Sequence, residues 1–385
     1  MTDTTPRPVD VMPLQGYHHL EFFVGNAKQA AQYYRTAFGF TPVAYAGPET
    51  GVRDKASWVM AQGDIRFVLT AGLGPESEIV QHHTLHGDGV RAVAFAVPDA
   101  EQAYTVALER GATSAFEPRV TEDTSGKVVV SGIKAYGDTL HTFVDASNYS
   151  GPFLPGYVAL EQAPATGAGT TTPLYALPGQ GVGLQLVDHV VCNVELGKMD
   201  EWVDFYANVM GFRQLVHYDD KAISTEYSAL MSKVLWDGEG RIKLPINEPA
   251  QGKKKSQIEE YLDFYRSPGV QHMALATDDI VATVKALRAN GVRFMRVPET
   301  YYEEQRAKLD WTNIGEDLAA LQEQNILIDT DDEGYLLQIF TEPVQDRPTV
   351  FFEVIERHGS KGFGEGNFKA LFEAIEREQE LRGNL

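Results

Sequence analysis

Cysteine is almost missing from this 385-residue chain, which has only Cys192. A single thiol forbids an intrachain disulfide and suits a reducing compartment. With no basic neighbour to activate it, Cys192 reads as a small core residue rather than a nucleophile. Positive charge is also short, with 33 Lys and Arg against 54 Asp and Glu and a net charge of -21. Such a surface does not track phosphates, so nucleic acid and anionic membranes are poor partners. No run approaches the ~18 apolar residues of a membrane span. The N-terminal MTDTTPRPVDVMPLQG lacks the apolar stretch and cleavage pattern of a signal peptide. A cytoplasmic protein is therefore expected, with residues 1–13 as a flexible arm. What the chain does have is core: 43% hydrophobic and 10% aromatic residues beside 23% charged ones describe a folded globular protein. At roughly 150 residues per domain the length suggests two or three, and the pattern below fits two.

The same ordered signals occur twice. HHLEFFVGNAKQAAQYYRTAFGF (18–40) and DHVVCNVELGKMDEWVDFYANVMGF (188–212) each read as strand, turn, amphipathic helix and Gly-Phe, with the glycine placed to end the helix. GVRAVAFAVPD (89–99) is answered by GVQHMALATDD (269–279), each a strand with an acidic N-cap. Helices over 100–110 and 280–290 follow, stopping at Gly111 and Gly291. YGDTLHTFVD (136–145) is paired with EGYLLQIFTE (333–342) as the closing strands. Residues 161–181 are rich in Gly, Ala, Thr and Pro and read as a linker. Near the C-terminus Phe368, Leu371, Phe372 and Ile375 recur at i, i+3, i+4 and i+7, the apolar face of a docked helix. The expected fold is α+β, with repeated β-α-β-β-β units forming curved, barrel-like mixed sheets over 14–160 and 182–360, then a helix in 361–385.

Overlaying the copies singles out His189, His272 and Glu353, respectively in the first strand, in a later strand and after the closing strands of the second unit. Their wide separation excludes a helical i, i+4 metal motif, so they would have to converge from separate strands. Two imidazoles and a carboxylate on one face of an ion leave the opposite positions open, the arrangement of non-haem Fe(II) oxygenases. In the first unit His19 takes the place of His189, but Ala92 takes that of His272, and the place of Glu353 falls near Gly156, with no Asp or Glu between Ala146 and Leu160. That half is expected to hold no metal and to act as a structural partner. A strand histidine is more often a hydrogen-bonded core or surface residue than a ligand, but here both histidines and the glutamate fall in the better-furnished copy. The cluster in QHHTLHGDG (81–89) is read as a solvated loop, as is the run Lys253-Lys254-Lys255.

Several strings in the second half carry a family resemblance: LPINEP (244–249), KKKSQI (253–258), GVQH (269–272), LLQIFTEPVQDRPTVFFEVIERHG (336–359) and GFGEGNFKALFEAIE (362–376). By them the chain resembles the 4-hydroxyphenylpyruvate dioxygenase family of the vicinal oxygen chelate superfamily, over nearly its whole length. The resemblance implies one Fe(II) per chain on His189, His272 and Glu353. It implies polar site residues Ser228, Asn247, Gln257, Gln271 and Gln338, and a substrate pocket that includes Pro245, Phe340, Phe351, Phe363, Asn367 and Phe368. For Phe351, plain core packing is nearly as good a reading. The implied reaction turns 4-hydroxyphenylpyruvate and O2 into homogentisate and CO2, in tyrosine breakdown. The C-terminal helix would act as a lid, hinged at glycines 362, 364 and 366. A homo-oligomer, dimer or tetramer, is expected, although the sequence does not fix its size. The rivals are 4-hydroxymandelate synthase, which uses the same substrate and iron, then an extradiol-type dioxygenase or glyoxalase-like lyase, and a non-catalytic aromatic-acid binding protein.

Overall fold

The structure is a computed structural model that describes residues 12–160, 178–218, 230–250, 252 and 254–383. Ser228, most of the expected arm and linker, and Lys253 lie outside the described residues. Two curled mixed sheets make up the chain. The first holds β1 (Gly16–Phe23), β2 (Thr41–Ala46), β3 (Lys55–Gln62), β4 (Ile65–Gly72), β5 (Gly89–Ala96), β6 (Ser114–Asp123), β7 (Gly126–Lys134), β8 (Leu140–Asp145) and the short β9 (Val158–Ala159), in the order β6-β7-β8-β5-β1-β4-β3-β2-β9. The second holds β10 (Leu184–Asn193), β11 (Arg213–Tyr218), β12 (Leu230–Trp236), β13 (Lys243–Pro249), β14 (Gly269–Thr277), β15 (Leu327–Asp331), β16 (Gly334–Phe340) and β17 (Phe351–His358), in the order β11-β12-β13-β10-β14-β17-β16-β15. Apart from β9 and the direction of reading, the orders match strand for strand. Each sheet is two β-α-β-β-β modules joined at an antiparallel central pair, β1 with β5 or β10 with β14.

The helices are α1 (Ala27–Ala37), α2 (Glu78–His86), α3 (Ala100–Glu109), α4 (Met199–Val209), α5 (Gln257–Tyr265), α6 (Ile280–Ala289), α7 (Glu299–Lys308), α8 (Leu318–Gln324) and α9 (Phe368–Arg382). The repeat signals act locally as expected. Asp99 and Asp279 accept from Gln102 N and Ala282 N, capping α3 and α6, a contribution of about 1 kcal/mol each. Gly39, Gly111, Gly211 and Gly291 follow the last turns of α1, α3, α4 and α6 at φ +75°, +99°, +71° and +93°, a conformation that penalises any Cβ. Among the described residues no helix is long and apolar enough to cross a membrane.

Three expectations are corrected. The strand over 136–145 is the counterpart of β17, not of 333–342, which matches β7 instead. The registers His189↔Ala274↔Glu353 and His19↔Ala94↔Thr142 then put Thr142, not a residue near Gly156, in the place of Glu353. The misalignment arose because α7 and α8 are inserted before β15 and because apolar alternating strands look alike. Residues 81–86 of QHHTLHGDG belong to α2 and are not a solvated loop. Ser77 caps this helix, and its buried stripe is Ile79, His82 and His86, so imidazoles occupy positions where a periodicity search expects apolar side chains. His86 pays for its burial with bonds to Tyr265 O (2.5 Å) and Asp138 Oδ2 (2.9 Å).

One continuous core joins the halves. Its centre includes Phe352, which lies 5.0 Å from Phe38, 5.7 Å from Phe67 and 5.9 Å from Tyr34, ring centre to ring centre. Side chains alternate across a strand. While Phe352 locks the back of β17 onto the N-terminal half, its neighbours Phe351 and Glu353 face the interior of the C-terminal sheet.

Candidate metal centre

Three adjacent strands bring the expected ligands together: His189 from β10, His272 from β14 and Glu353 from β17, all buried. Glu353 Oε2 lies 3.2 Å from His189 Nε2 and 3.5 Å from His272 Nε2, and one donor atom from each residue falls within 4.8 Å of the others. Donors about 2.1 Å from one ion and at right angles to each other would stand about 3 Å apart, so the trio fits a metal. Both imidazoles are aimed through their far nitrogen. His189 Nδ1 is 2.7 Å from Asp188 Oδ1, and His272 Nδ1 is 3.0 Å from Gln271 Oε1. An Nδ1–H donated to each leaves Nε2 as the donor toward the ion, the outer support that metal-binding histidines commonly have.

The electrostatics favour an ionised carboxylate. Burial pushes the Glu353 pKa up, but the His189 charge and hydrogen bonds from both imidazoles outweigh it and hold it below the usual value. Burial likewise lowers His272. For His189 burial also acts downward, but Glu353 and Asp188 together raise it. Asp188 is held well below the ordinary range despite its burial, by bonds from His189 and Arg357. Among the described residues one other group, Glu316, Glu356 and His358, is close enough to share an ion. There Glu356 already caps α6 by accepting from Ile280 N at 2.7 Å, and His358 stacks on Tyr335 with ring centres 4.3 Å apart.

The trio opens on a cavity of about 60 Å³. Its walls include Pro245, Asn247, Gln257, Gln271, Phe340, Phe351 and Phe363 of the expected residues. Phe351 stacks on His272 (4.7 Å, 18°), Phe340 meets the same ring edge-on, and Phe363 meets His189 edge-on at 5.1 Å. Gln338 and Asn367 are buried but do not line the cavity. Gln338 lies where a Cβ on Gly364 would come within 2.5 Å of its Nε2, and Asn367 accepts from Tyr301 Oη at 2.6 Å. Phe368 begins α9, but its side chain lies outside the described residues. Sequence reasoning missed Val191, Tyr218, Leu230, Ser232, Val234, Leu371 and Phe372, which also form walls. Val191 was legible, since it is two residues from His189 on one strand and so shares its face. For Leu371 and Phe372 the helical period signals a docking face but not the cavity beneath it.

The N-terminal sheet encloses a larger cavity, about 1060 Å³, whose walls include His19, Glu21, Ala92 and Thr142. By register Ala92 and Thr142 stand where His272 and Glu353 stand in the other half. The space is therefore repeated without the donor set.

The segment that follows β17 lies over the smaller cavity, to which it contributes Phe363, Leu371 and Phe372. Asp331 Oδ2 accepts from Ser360 Oγ, Lys361 N and Gly362 N at 2.5, 3.0 and 2.9 Å, and Asp329 accepts from Gly366 N at 3.0 Å. Two of the three expected hinge glycines, Gly362 and Gly366, are thus held by hydrogen bonds. Gly364 is at φ +78°, a conformation that strains any other residue, and a Cβ there would push against the Gln338 amide. Beyond them α9 packs Leu371 and Ile375 into a cluster with Phe340 and Phe351, and Phe372 into one with Tyr218 and Phe363. Arg382 pairs with Glu260 of α5 at 2.8 Å.

Comparison with known proteins agrees with this architecture. The family described as hydroxyphenylpyruvate dioxygenase, N-terminal, matches residues 9–152, and the glyoxalase/bleomycin resistance protein/dioxygenase superfamily matches 186–339. Proteins named 4-hydroxyphenylpyruvate dioxygenase are 47% identical in Aspergillus fumigatus (99% of this chain, 98% of that one) and 49% identical in Dictyostelium discoideum (97% and 100%). A solved mutant of 4-hydroxymandelate synthase from Streptomyces coelicolor superposes with a TM-score of 0.82 at 30% identity, over 96% of this chain and 100% of that one. With such identity sustained end to end, the chain belongs to the 4-hydroxyphenylpyruvate dioxygenase family.

Proposed function

We propose that this chain is a ferrous-iron dioxygenase that converts 4-hydroxyphenylpyruvate and O2 to homogentisate and CO2, the activity for which its relatives are named, within tyrosine breakdown. The observation that carries the reading is the buried trio of donors opening on a narrow cavity walled by phenylalanines and amides. His189, His272 and Glu353 would hold one iron on one face and leave the positions toward the cavity for substrate and dioxygen. When bound, ferrous iron supplies Lewis acidity toward a chelating 2-oxo acid and the electrons that dioxygen activation requires.

The remaining work belongs to the protein's own side chains. With its oxygen engaged by His272, Gln271 offers its NH2 end to the substrate. Asn247 and Gln257 add further amides for a phenol or carboxylate, and Phe340, Phe351 and Phe363 grip the ring and exclude water. Pro245, Ser228 and Phe368 complete the proposed pocket, and Gln338 and Asn367, which do not line the cavity in this structure, are proposed to reach it when the covering segment moves. The cavity is far below the ~300–1,000 Å³ usual for ligand sites, which supports the reading of 361–385 as a lid that must move to admit substrate. The N-terminal half, 14–160, serves as structural partner by backing β17 through Phe352. A cytoplasmic homo-oligomer, dimer or tetramer, is part of the same proposal.

Benzylic hydroxylation, as in 4-hydroxymandelate synthase, is the lesser reading, because the similarity there is 30% against 47–49% to the dioxygenases. The test is oxygen uptake that needs ferrous ion and 4-hydroxyphenylpyruvate and fails with a catechol. His272→Ala should lose bound iron and uptake together, and normal uptake by that variant would overturn the ligand assignment.

A further inference from the structure

Arg357 sits at the junction between the candidate metal centre and the segment that covers it. Its Nε and Nη2 fork onto Asp188 at 2.8 and 2.9 Å, and Asp188 in turn holds His189 Nδ1 at 2.7 Å. Its remaining nitrogen, Nη1, donates to the carbonyls of Ser360 (3.3 Å) and Gly362 (2.7 Å). The guanidinium also lies over the Phe363 ring, 5.3 Å from its centre, and the same ring meets His189 edge-on at 5.1 Å. The contacts form a closed circuit: Asp188, His189, Phe363, Arg357. Asp188 is 5% exposed, so its geometry is set by this circuit and by Lys243 Nζ at 3.0 Å rather than by water.

The geometry points to Arg357 as a positioning residue that couples closure of the C-terminal segment to metal retention by His189. The inference rests on the assignment of His189 as a metal ligand. With the segment seated, two carbonyls and a ring fix the guanidinium plane, the plane fixes the Asp188 carboxylate, and the carboxylate fixes the imidazole. When the segment lifts, Arg357 keeps Asp188 but loses two of its contacts, the Gly362 carbonyl and the Phe363 ring, and the support behind His189 loosens. Lysine cannot do the same, because one ammonium on a flexible stem cannot fork onto a carboxylate and hold two carbonyls at once. Coupling of this kind is reciprocal, so metal must tighten the segment by the factor by which the segment tightens metal.

The reciprocity allows a test in the unmodified protein. Hydrogen exchange at the Lys361 and Gly362 amides, both bound to Asp331, is compared with ferrous ion bound under argon and after its removal by a chelator. Removal should speed exchange there on the order of tenfold, the scale on which outer supports of a metal ligand act. In Arg357→Lys the ratio between stripped and loaded protein should fall close to one, and ferrous release should quicken by a similar factor. A ratio near one in the unmodified chain overturns the coupling without any variant, which covers the case in which Arg357→Lys does not fold. A ratio that survives in Arg357→Lys overturns the role of Arg357. Equal ferrous binding by the unmodified chain and His272→Ala would instead remove the metal assignment on which the inference rests.

Discussion

At the scale of single residues, the difference between the two halves comes down to a few side chains in matching register. His19 keeps the place of His189, while Ala92 and Thr142 stand where the other half has His272 and Glu353. If those substitutions are what separates the halves, Ala92→His with Thr142→Glu should raise the ferrous stoichiometry from one to two per chain, measured by equilibrium dialysis under argon. Unchanged stoichiometry would mean that the N-terminal backbone does not hold the required geometry. His189 and His272 were legible because each sits in a repeated apolar strand whose first copy can be checked, where His19 matches the one and Ala92 replaces the other. Glu353 was legible as a residue, but its N-terminal counterpart was not, because register is a property of paired strands and cannot be counted along one chain. Asp188 and Arg357 were not legible as supports either, since nothing in the spacing of a charged pair 169 positions apart announces contact.

At the scale of elements, the informative pieces are β17 and α9. The strand carries Glu353 toward the cavity, Phe352 toward the other half and Arg357 toward the covering segment. The helix roofs the site with Leu371 and Phe372. Truncation before Gly362 removes that roof, one acceptor of Arg357 (the Gly362 carbonyl) and the Phe363 ring beneath its guanidinium, while leaving all three candidate ligands in place. The shortened protein should still bind iron when ferrous ion is in excess, release it faster, and turn over at background rate in an oxygen-electrode assay. Retained turnover would show that the helix is no lid. The helix and its apolar face were plain in the 3.6-residue period. The α2 helix was not, because two of the three residues in its buried stripe are histidines, and His86 finds its hydrogen-bond partners, Tyr265 O and Asp138, far along the chain.

At the scale of the whole molecule, the halves share one core and the contacts between them include titratable groups. His141 of the first sheet lies 2.6 Å from the Tyr206 hydroxyl of α4 and is fully buried. Burial lowers its pKa from 6.5 to about 4. The unfolded chain therefore takes up a proton below pH 6.5 that the folded chain refuses until about 4, so this group leaves stability unchanged above 6.5 and removes it as pH falls through that window. The loss is up to about 1.4 kcal/mol per pH unit. Denaturant midpoints at pH 7 and pH 5 should diverge less in His141→Gln than in the parent, and equal divergence would show that His141 is not the group responsible. The central claim, that one iron in the C-terminal sheet directs oxygen onto the ring of a 2-oxo acid, has a direct measurement. The chain is loaded with ferrous ion and 4-hydroxyphenylpyruvate under argon, oxygen is admitted, and the products are separated by chromatography. Homogentisate and CO2 in equal amounts are predicted. Either 4-hydroxymandelate as the main product or no oxygen consumption by the iron-loaded protein would contradict the account.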